Sequence, residues 1–362
     1  MLRTLFNLAP RCLALLPPEE AHEITLKSLE LGIFPAQSKP DDPSLAVGFA
    51  GLSLPNPVGI AAGFDKDGRV ADAVLRLGCG FAEIGTVTPL PQPGNPSPRI
   101  FRLPRDGAVI NRLGFNNGGH QAALARLQRR SGGVVGVNVG ANKETKDRVG
   151  DYVQGLEAFY DVASYFTVNI SSPNTPGLRN LQQPAALEEL LGRLMEARAR
   201  QLAAGKPKRP VVIKLSPDIA EEDLPAIAAL LLSHSVDGIA VSNTTLSRHN
   251  LREPAAREAG GLSGRPLFHR STVMLAKVYE ATQGRIPLIG IGGIDSGETA
   301  VAKIRAGATL VQLYTGLIYE GPGLIQRIKD ELAAAVRRAG ALAVTDLVGT
   351  ATKTWAAKPI EA

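Results

Sequence analysis

Eight short apolar runs occur between residues 57 and 315 of this 362-residue chain, and each ends in a glycine or a small polar or charged residue. Segments with helical periodicity separate the runs. Alternating strands and helices predict a parallel sheet with helical crossovers, and eight such units suggest an α/β fold of the (β/α)8 or TIM-barrel type. The predicted strands cover residues 58–63, 81–85, 134–137, 166–170, 211–215, 238–241, 287–291 and 310–313.

Polar side chains follow these strands. In a barrel all strand ends open on one face, so residues distant in sequence are expected to converge there: Lys66, Thr86, Asn138, Asn169, Ser172, Lys214, Asn243 and Thr244. A doubly wound sheet is the competing α/β interpretation. The run Gly290-Ile291-Gly292-Gly293 does not favour it, because this run lacks the G-x-G-x-x-G spacing and comes late in the chain.

The loop after the fourth strand, residues 169–180, is predicted to be rigid. Pro173 and Pro176 fix its backbone, while Ser172, Asn174 and Thr175 present hydroxyl and amide groups. Taken alone, this pattern is typical of an ordinary polar loop. Polar side chains recur at several other strand ends, and this recurrence favours a functional site.

Glycine-rich segments follow the last three strands. Exposed backbone amides after strands 7 and 8 of such a barrel commonly bind phosphate. Together with several Asn amides and two lysines, they indicate a phosphorylated cofactor with a flat heterocycle, and flavin mononucleotide (FMN) fits this description. The residues concerned are Gly264, Gly292, Gly293, Asp295, Ser296, Tyr314, Thr315 and Gly316.

Three side chains are candidates for the chemistry. Lys214 is interpreted as a core lysine, a Schiff-base nucleophile, or a cation beside a ring that becomes negative on reduction. Lys66 either pairs with a neighbouring aspartate or binds a substrate carboxylate. No histidine occupies these strand ends, so Ser172 is the candidate proton acceptor, and it requires a relay for its proton.

The first forty residues predict a helical hairpin, with one helix over residues 2–16 and a second starting near Pro18. The segment has neither the apolar core of a signal peptide nor the length of a membrane span. It packs either on its own domain or an oligomer partner, or its leucine-rich face rests in a membrane interface. The expected domains are the hairpin at 1–40, the barrel at 41–340 and a tail of unknown role at 341–362.

The amino-acid composition excludes several classes of structure and function. A hydrophobic content of 44% excludes disorder for most of the chain, and two distant cysteines predict neither an iron–sulfur cluster nor a zinc site. The net charge of +6 suits anionic ligands or an anionic lipid surface, and no basic and aromatic residues interleave as in nucleic-acid binders. Residues 89–119 are expected to form a long structureless loop that walls the barrel mouth.

Seven motifs in order resemble one family. They closely resemble the membrane-associated, quinone-dependent class of dihydroorotate dehydrogenase. The resemblance implies an FMN-bearing barrel that oxidises (S)-dihydroorotate to orotate in pyrimidine biosynthesis and passes electrons to a membrane quinone. The motifs are AAGFDKDG (61–68), IGTVTP (84–89), NRLGFNN (111–117), NISSPNTPGLR (169–179), NTTL (243–246), GGLSGRPL (260–267) and IGGIDS (291–296).

The resemblance also implies residue roles. Ser172 is the implied base, where the soluble class has cysteine. The implied substrate-binding residues are Lys66, Asn111, Arg112, Leu113, Gly114, Phe115, Asn169, Asn174, Asn243 and Thr244. Those implied for FMN are Ala62, Gly63, Phe64, Asp65, Lys66, Thr86, Asn138, Asn169, Lys214, Ser242, Gly264, Gly293, Tyr314 and Thr315. No metal is expected.

The same resemblance favours the membrane interpretation of the hairpin, as the quinone entrance of a peripheral protein on the cytoplasmic side of the cell membrane. Two alternatives stay open. One is a soluble FMN enzyme that uses fumarate or NAD, and the other is a Schiff-base lyase that uses Lys214. The sequence does not specify the oligomeric state or the quinone.

Overall fold

The computed structural model describes residue 10 and residues 12–130 and 132–361. Its strands are β1 (Val47–Phe49), β2 (Leu52–Leu54), β3 (Val58–Asp65), β4 (Phe81–Val87), β5 (Ile100–Leu103), β6 (Ala108–Asn111), β7 (Val134–Val139), β8 (Tyr165–Asn169), β9 (Val211–Leu215), β10 (Gly238–Val241), β11 (Gly261–Gly264), β12 (Leu288–Ile291) and β13 (Ala308–Leu313). Its helices are α1 (Pro18–Glu30), α2 (Ala71–Arg76), α3 (Gly119–Leu127), α4 (Arg148–Phe159), α5 (Pro184–Ala203), α6 (Leu224–Ser233), α7 (Leu267–Ala281), α8 (Gly297–Ala306), α9 (Thr315–Glu320), α10 (Gly323–Arg338) and α11 (Thr352–Ala356).

Eight parallel strands close into a barrel in the order β3-β4-β7-β8-β9-β10-β12-β13, which confirms the predicted TIM barrel. Both faces of these strands are buried, because helices cover the outside and side chains fill the inside. The register places Asn169 of β8 beside Lys214 of β9. The sequence pattern therefore brings the polar strand ends to one end of the barrel.

The segment 89–119 corrects an expectation, because it is not structureless. Within it β5 and β6 form an antiparallel pair, and β6 also pairs with β11 from beyond the sixth barrel strand. A small separate core of Leu103, Ala108, Ile110 and Leu262 holds this three-stranded sheet together. Alternating apolar residues explain the pairing, and the sheet forms a wall at the barrel mouth.

Helix α1 begins at Pro18, as predicted, and lies against this wall and the barrel. Glu19 accepts a hydrogen bond from Arg99 at 2.9 Å, and Arg69 forms ion pairs with Glu23 at 2.7 Å and Glu30 at 2.6 Å. Most of the helix predicted over residues 2–16 lies outside the described residues. In the described part of the chain, no helix has the length and hydrophobicity needed to cross a bilayer.

The chain from residue 341 onward covers the outside of the barrel. Trp355 of α11 packs edge to face on Phe268 of α7, with ring centroids 5.9 Å apart, and Thr352 Oγ1 donates to the carbonyl of Ala306 at 3.1 Å. The segment before the first barrel strand is likewise fixed, since the buried Lys329 Nζ forms an ion pair with Asp41 at 2.7 Å. Contacts to α10 and α7 therefore hold Asp41 and Trp355 against helices on the outside of the barrel.

His120 in α3 makes the stability of the fold depend on pH. Its ring packs edge to face on Phe159 at 5.1 Å, Nε2 has no hydrogen-bond partner among the described residues, and burial lowers the pKa of His120 to about 4. In the unfolded chain His120 binds a proton near pH 6.5, whereas in the folded chain it stays neutral until the pH is near 4. Stability should therefore fall as the pH drops from about 6.5 towards 4, by at most about 1.4 kcal/mol per pH unit for this group.

Urea unfolding of the wild type and of His120→Phe at pH 7 and pH 5 measures this effect. The variant removes the group that titrates, so its free energy of unfolding should fall less between the two pH values. Burial also lowers the pKa of His22 to about 4, so part of the pH dependence is expected to stay in both proteins. Equal pH dependence in the two proteins would show that His120 is not responsible.

Candidate active site

Amide and hydroxyl side chains form a connected network at the carboxyl ends of four strands. Thr86 Oγ1 donates to Asn138 Oδ1 at 2.6 Å and accepts from Asn169 Nδ2 at 2.9 Å. Asn169 Oδ1 in turn accepts from Asn243 Nδ2 at 3.2 Å. Each amide is held in one orientation by its neighbours, so the network presents a fixed pattern of donors and acceptors.

A buried carboxylate lies beneath this network. Glu83 of β4 is only 2% exposed. Its Oε1 accepts from Asn138 at 2.8 Å, and its Oε2 accepts from Tyr165 at 3.0 Å, Thr167 at 2.9 Å and Gln312 at 2.9 Å. Four donors compensate for the loss of solvent. Glu83 thereby anchors the polar layer that supports the mouth of the barrel.

The loop carrying Ser172 lies between the network and the wall. Ser172 is buried, and its Oγ accepts from the amide of Asn174 at 3.3 Å. Asn174 Nδ2 donates to Asn111 Oδ1 at 3.3 Å, which joins the loop to β6. The hydroxyl of Ser172 is therefore positioned by the main chain of its own loop and borders the central cavity.

Two lysines face the same cavity without an anionic partner. The side-chain amines of Lys66 and Lys214 form no hydrogen bond or ion pair within the described residues, and both residues line the cavity. Burial lowers the pKa of both amines, and this effect is partly opposed by the negative charges of Asp67 and Glu19 at Lys66 and of Glu83 at Lys214. Lys214 is buried and Lys66 is partly exposed, and a buried amine without a hydrogen-bond partner is costly, so both amines are available to a ligand that carries negative charge.

Glycines form a cradle on the other side of the cavity. A Cβ on Gly264, where φ is +96°, would lie 2.3 Å from the carbonyl of Gly107, and a Cβ on Gly293, where φ is +73°, would lie 2.4 Å from Phe268. Only glycine fits either position. Both glycines line the cavity, and a phosphate bound beside them stays a prediction.

One cavity of about 590 Å³ connects these groups. It continues from the barrel mouth past Phe64 and Tyr314 into an arm between α1 and the wall. The lining of this arm is mainly apolar and consists of Pro10, Cys12, Leu13, Pro18, Ala21, His22, Ile24, Thr25, Ser28, Leu29, Ile33, Phe34, Pro35, Leu77, Ile100 and Arg102.

The structure brings most of the predicted site residues to this cavity. The lining includes Ala62, Gly63, Phe64, Lys66, Thr86, Asn111, Leu113, Gly114, Phe115, Asn169, Ser172, Asn174, Lys214, Ser242, Asn243, Thr244, Gly264, Gly293, Tyr314 and Thr315. Three predicted residues lie elsewhere. Asn138 is in the layer beneath, Asp65 accepts from the amides of Arg69 and Val70 at 2.8 Å each, and Arg112 forms an ion pair with Glu258 at 2.7 Å.

Comparison with known proteins gives a consistent result. The family model "Dihydroorotate dehydrogenase" matches residues 44–336. The dihydroorotate dehydrogenase (quinone) proteins of Brucella ovis and Brucella canis are each 56% identical over 357 residues, which cover 98% of this chain and 98% of theirs. The chain belongs to the dihydroorotate dehydrogenase family.

Solved structures of the family agree with this assignment. The crystal structure of DHODH from Eimeria tenella in complex with ferulenol has a TM-score of 0.88 and 38% sequence identity, covering 92% of this chain and 95% of that one. The ligand-free type from the same organism has a TM-score of 0.87 and 39% identity, covering 92% and 99%. The barrel of this family member therefore has close structural counterparts.

Sequence reasoning missed three residues at the cavity of this dihydroorotate dehydrogenase family member. His22 lies on α1, with its ring 5.6 Å from that of Phe64, and Arg102 of β5 donates to the carbonyls of Leu13, Ala14 and Leu16 at 3.3, 3.1 and 2.7 Å. Gln312 has an acceptor, Oε1, without a partner among the described residues. A single polar residue in a helix or strand carries no spacing signal, so no pattern reveals these three.

Proposed function

We propose that the protein oxidises (S)-dihydroorotate to orotate at the barrel mouth with FMN, and passes the electrons to a quinone in the apolar arm. This places it in pyrimidine biosynthesis. The observation that carries the proposal is the continuity of the cavity, which joins Ser172 and Lys214 at one end to the apolar lining around α1 at the other. A polar substrate at the barrel mouth and an apolar electron acceptor in the arm would then share one cavity.

The residues present fit FMN. Gly264 and Gly293 line the part of the cavity where a phosphate would bind, the amine of Lys214 is buried without a hydrogen-bond partner, and Gln312 Oε1 has no partner among the described residues. The cavity volume of about 590 Å³ lies within the usual range of small-molecule sites, about 300–1,000 Å³. When bound, FMN supplies the hydride acceptor and relays the electrons to the quinone. Thr86 and Asn169 would hold the edge of the ring system, and Asn138 would support them from below.

The substrate side is formed by cationic and amide groups. Lys66 is available for the carboxylate of dihydroorotate, since it lines the cavity and has no described ion-pair partner. Asn111, Asn174, Asn243 and Thr244 surround the same space and offer donors and acceptors to the ring amides. Leu113, Gly114 and Phe115 of the wall exclude water from this side.

Ser172 is the proposed base. Its oxygen accepts the proton from C5 of the substrate as its own hydroxyl proton passes on towards solvent, so the hydroxyl stays neutral. The electrons of the C5–H bond form the C5–C6 double bond of orotate, and the hydride from C6 would go to the bound FMN. A serine alone is a weak base, so the amide of Asn174, which donates to Ser172 Oγ at 3.3 Å, helps to fix the oxygen during the transfer.

The arm around α1 is proposed as the quinone site and the membrane contact of a peripheral protein on the cytoplasmic side of the cell membrane. Apolar side chains next to the arm are exposed, with Leu15 87%, Leu31 75% and Ile33 56% accessible. These residues flank α1, and Ile24 on the helix itself is 47% exposed, so exposed apolar groups on and beside the helix favour a lipid interface. The net charge of +6 favours anionic lipid.

Anaerobic titration tests the whole proposal. The purified protein should be yellow, lose its flavin absorbance when dihydroorotate is added, and regain it when a quinone follows. Recovery with fumarate or NAD and not with a quinone would support the soluble FMN alternative. A colourless protein whose substrate is trapped on Lys214 by borohydride would support the lyase alternative.

Narrowing the arm should separate the two half-reactions. Ala21 of α1 is buried and lines the arm, so the ring in Ala21→Phe would occupy space proposed for the quinone. We expect reoxidation of the reduced flavin by a quinone to slow by about 10-fold or more, while reduction by dihydroorotate keeps its rate. Stopped-flow absorbance measures both.

Glu20→Phe on the same turn is the control for this variant. Glu20 is exposed and does not line the cavity, so the same added ring should leave quinone reoxidation near the wild-type rate. Unchanged reoxidation in both variants would remove the arm from the electron path.

A further inference from the structure

One guanidinium joins three loops at the barrel mouth. Arg179 Nε donates to the carbonyl of Ser171 at 3.0 Å, Nη1 to Asp218 Oδ2 at 3.0 Å, and Nη2 to the carbonyl of Thr244 at 3.1 Å. These acceptors follow strands β8, β9 and β10, respectively. The planar fork of arginine serves three fixed directions at once, which a lysine ammonium does not do as well.

Asp218 is itself held firmly on the β9 side. Its carboxylate accepts from the hydroxyl of Thr245, from the amide of Leu246 at 2.9 Å and from Arg270 Nε at 3.1 Å. Arg270 also donates to the carbonyl of Pro217 at 3.0 Å. Because the carboxylate has several donors of its own, it acts as a fixed anchor for Arg179 and does not follow its movement.

We propose that Arg179 and Asp218 are positioning residues for the reaction. Neither lines the cavity, yet Arg179 holds the peptide beside Ser172 and the carbonyl of Thr244 at the same time. The pair thereby sets the distance between the proposed base and the groups proposed to hold the substrate. This inference rests on the proposed function, because it requires Ser172 to act on a substrate bound at Thr244.

A positioning role predicts a larger effect on rate than on stability. The side chains of Arg179 and Asp218 are 22% and 15% exposed, and partly exposed ion pairs generally stabilise a fold only a little. Misplacement of a reacting group by about 1 Å costs up to about 100-fold in rate. Loss of the pair should therefore slow proton abstraction while the protein stays folded.

Further contacts connect Asp218 through Arg270 to Glu361, near the end of the described chain. Substitutions along this path should therefore have graded effects on the rate. Glu361 forms an ion pair with Arg270 at 3.0 Å, its carboxylate lies 2.8 Å from His249 Nε2, and its side chain is about half exposed. Effects on rate should thus decrease from Arg179 to Asp218, then to Arg270 and then to Glu361, as each of these residues lies one contact further from Ser172.

The experiment measures the two half-reactions of the full-length, flavin-loaded enzyme by stopped-flow absorbance. Arg179→Ala should slow flavin reduction by dihydroorotate by about 10- to 100-fold, and Asp218→Asn, which keeps its shape, should slow it by a smaller factor. Reoxidation by a quinone should keep the wild-type rate in both. The double variant should be little slower than Arg179→Ala, because both changes break the same contact.

Arg193→Ala is the matched control. Arg193 of α5 forms a more exposed ion pair with Asp147 at 2.7 Å and does not line the cavity, so its loss should leave both half-reactions unchanged. Wild-type reduction rates in Arg179→Ala and Asp218→Asn would overturn the inference. Equal slowing of both half-reactions would also overturn it, since that result indicates general loss of structure.

The outcome for Ser172→Ala separates this inference from the proposed function. An inactive Ser172→Ala with a normal Arg179→Ala overturns only the positioning role. A normal Ser172→Ala overturns the assigned base, and with it the need for Arg179.

Discussion

Replacing Ser172 with alanine should slow reduction of the flavin by dihydroorotate by about 10²- to 10⁴-fold, which is the usual contribution of a positioned base. The hydroxyl borders the cavity, and no histidine lines the strand ends to replace it. Cofactor content should not change, because the side chain is small and its loop is held by other contacts. Anaerobic stopped-flow absorbance measures the rate directly.

Two variants at this loop make the result specific. Ser172→Cys retains a group that accepts a proton, so its rate should lie between those of the wild type and the alanine variant. Ser171→Ala is the adjacent control. It removes hydrogen bonds at 3.1 and 3.0 Å to Asn169 and Asn243 but no cavity-lining hydroxyl, and should cost only a few-fold. A rate for Ser172→Ala near that of the wild type at neutral pH would exclude Ser172 as the base.

Replacing Lys214 with methionine should have opposite effects on stability and on function. In the protein without flavin, the amine is buried and unpaired, so an apolar side chain of similar length should raise the free energy of unfolding. Loss of the cation that faces the proposed flavin should slow flavin reduction by about 10²- to 10³-fold, as expected when one electrostatic contact to a developing charge is lost.

Lys329→Met is the control for the stability effect. Lys329 is as buried as Lys214 but pairs with Asp41 at 2.7 Å, so its loss leaves a carboxylate without its cation and should destabilise the protein by about 3–5 kcal/mol. Urea unfolding of the flavin-free proteins compares the two variants. If Lys214→Met destabilises as strongly as Lys329→Met, Lys214 has a structural role rather than a role towards the cofactor.

The barrel could be predicted because its signal is local. Each buried parallel strand is an apolar run of four to eight residues, and a helix pattern follows each one. The strands β9 and β10 have the predicted bounds, and the others differ by a few residues at their ends. Convergence of the polar strand ends then follows from the closure of the barrel alone.

The wall could not be predicted in the same way. Strands β6 and β11 are four residues each, and about 150 residues separate them in the sequence. Short strands rich in proline and glycine at their ends have weak local patterns, and their pairing depends on contacts that only the closed barrel provides. The expectation of a structureless loop failed for this reason.

The residues of the candidate site also differ in whether local sequence patterns could reveal them. Lys66, Ser172 and Lys214 stand in strand-end motifs, and the structure places them around one cavity. His22 and Arg102 reach that cavity from a helix and an insertion whose position the sequence leaves open. Arg112 stands in a motif as well, yet its guanidinium pairs with Glu258 and reinforces the wall.

The pairing of β6 with β11 has a consequence for engineering and for divergence within the family. Two insertions from distant parts of the gene share one hydrogen-bonded edge, with Ile110 opposite Leu262. A segment transplanted from a relative would replace only one of the two paired strands. The remaining strand would then face a partner that had not been selected for its register. Exchanges that alter substrate preference should therefore succeed when both segments are replaced together, and length changes in one should be matched in the other.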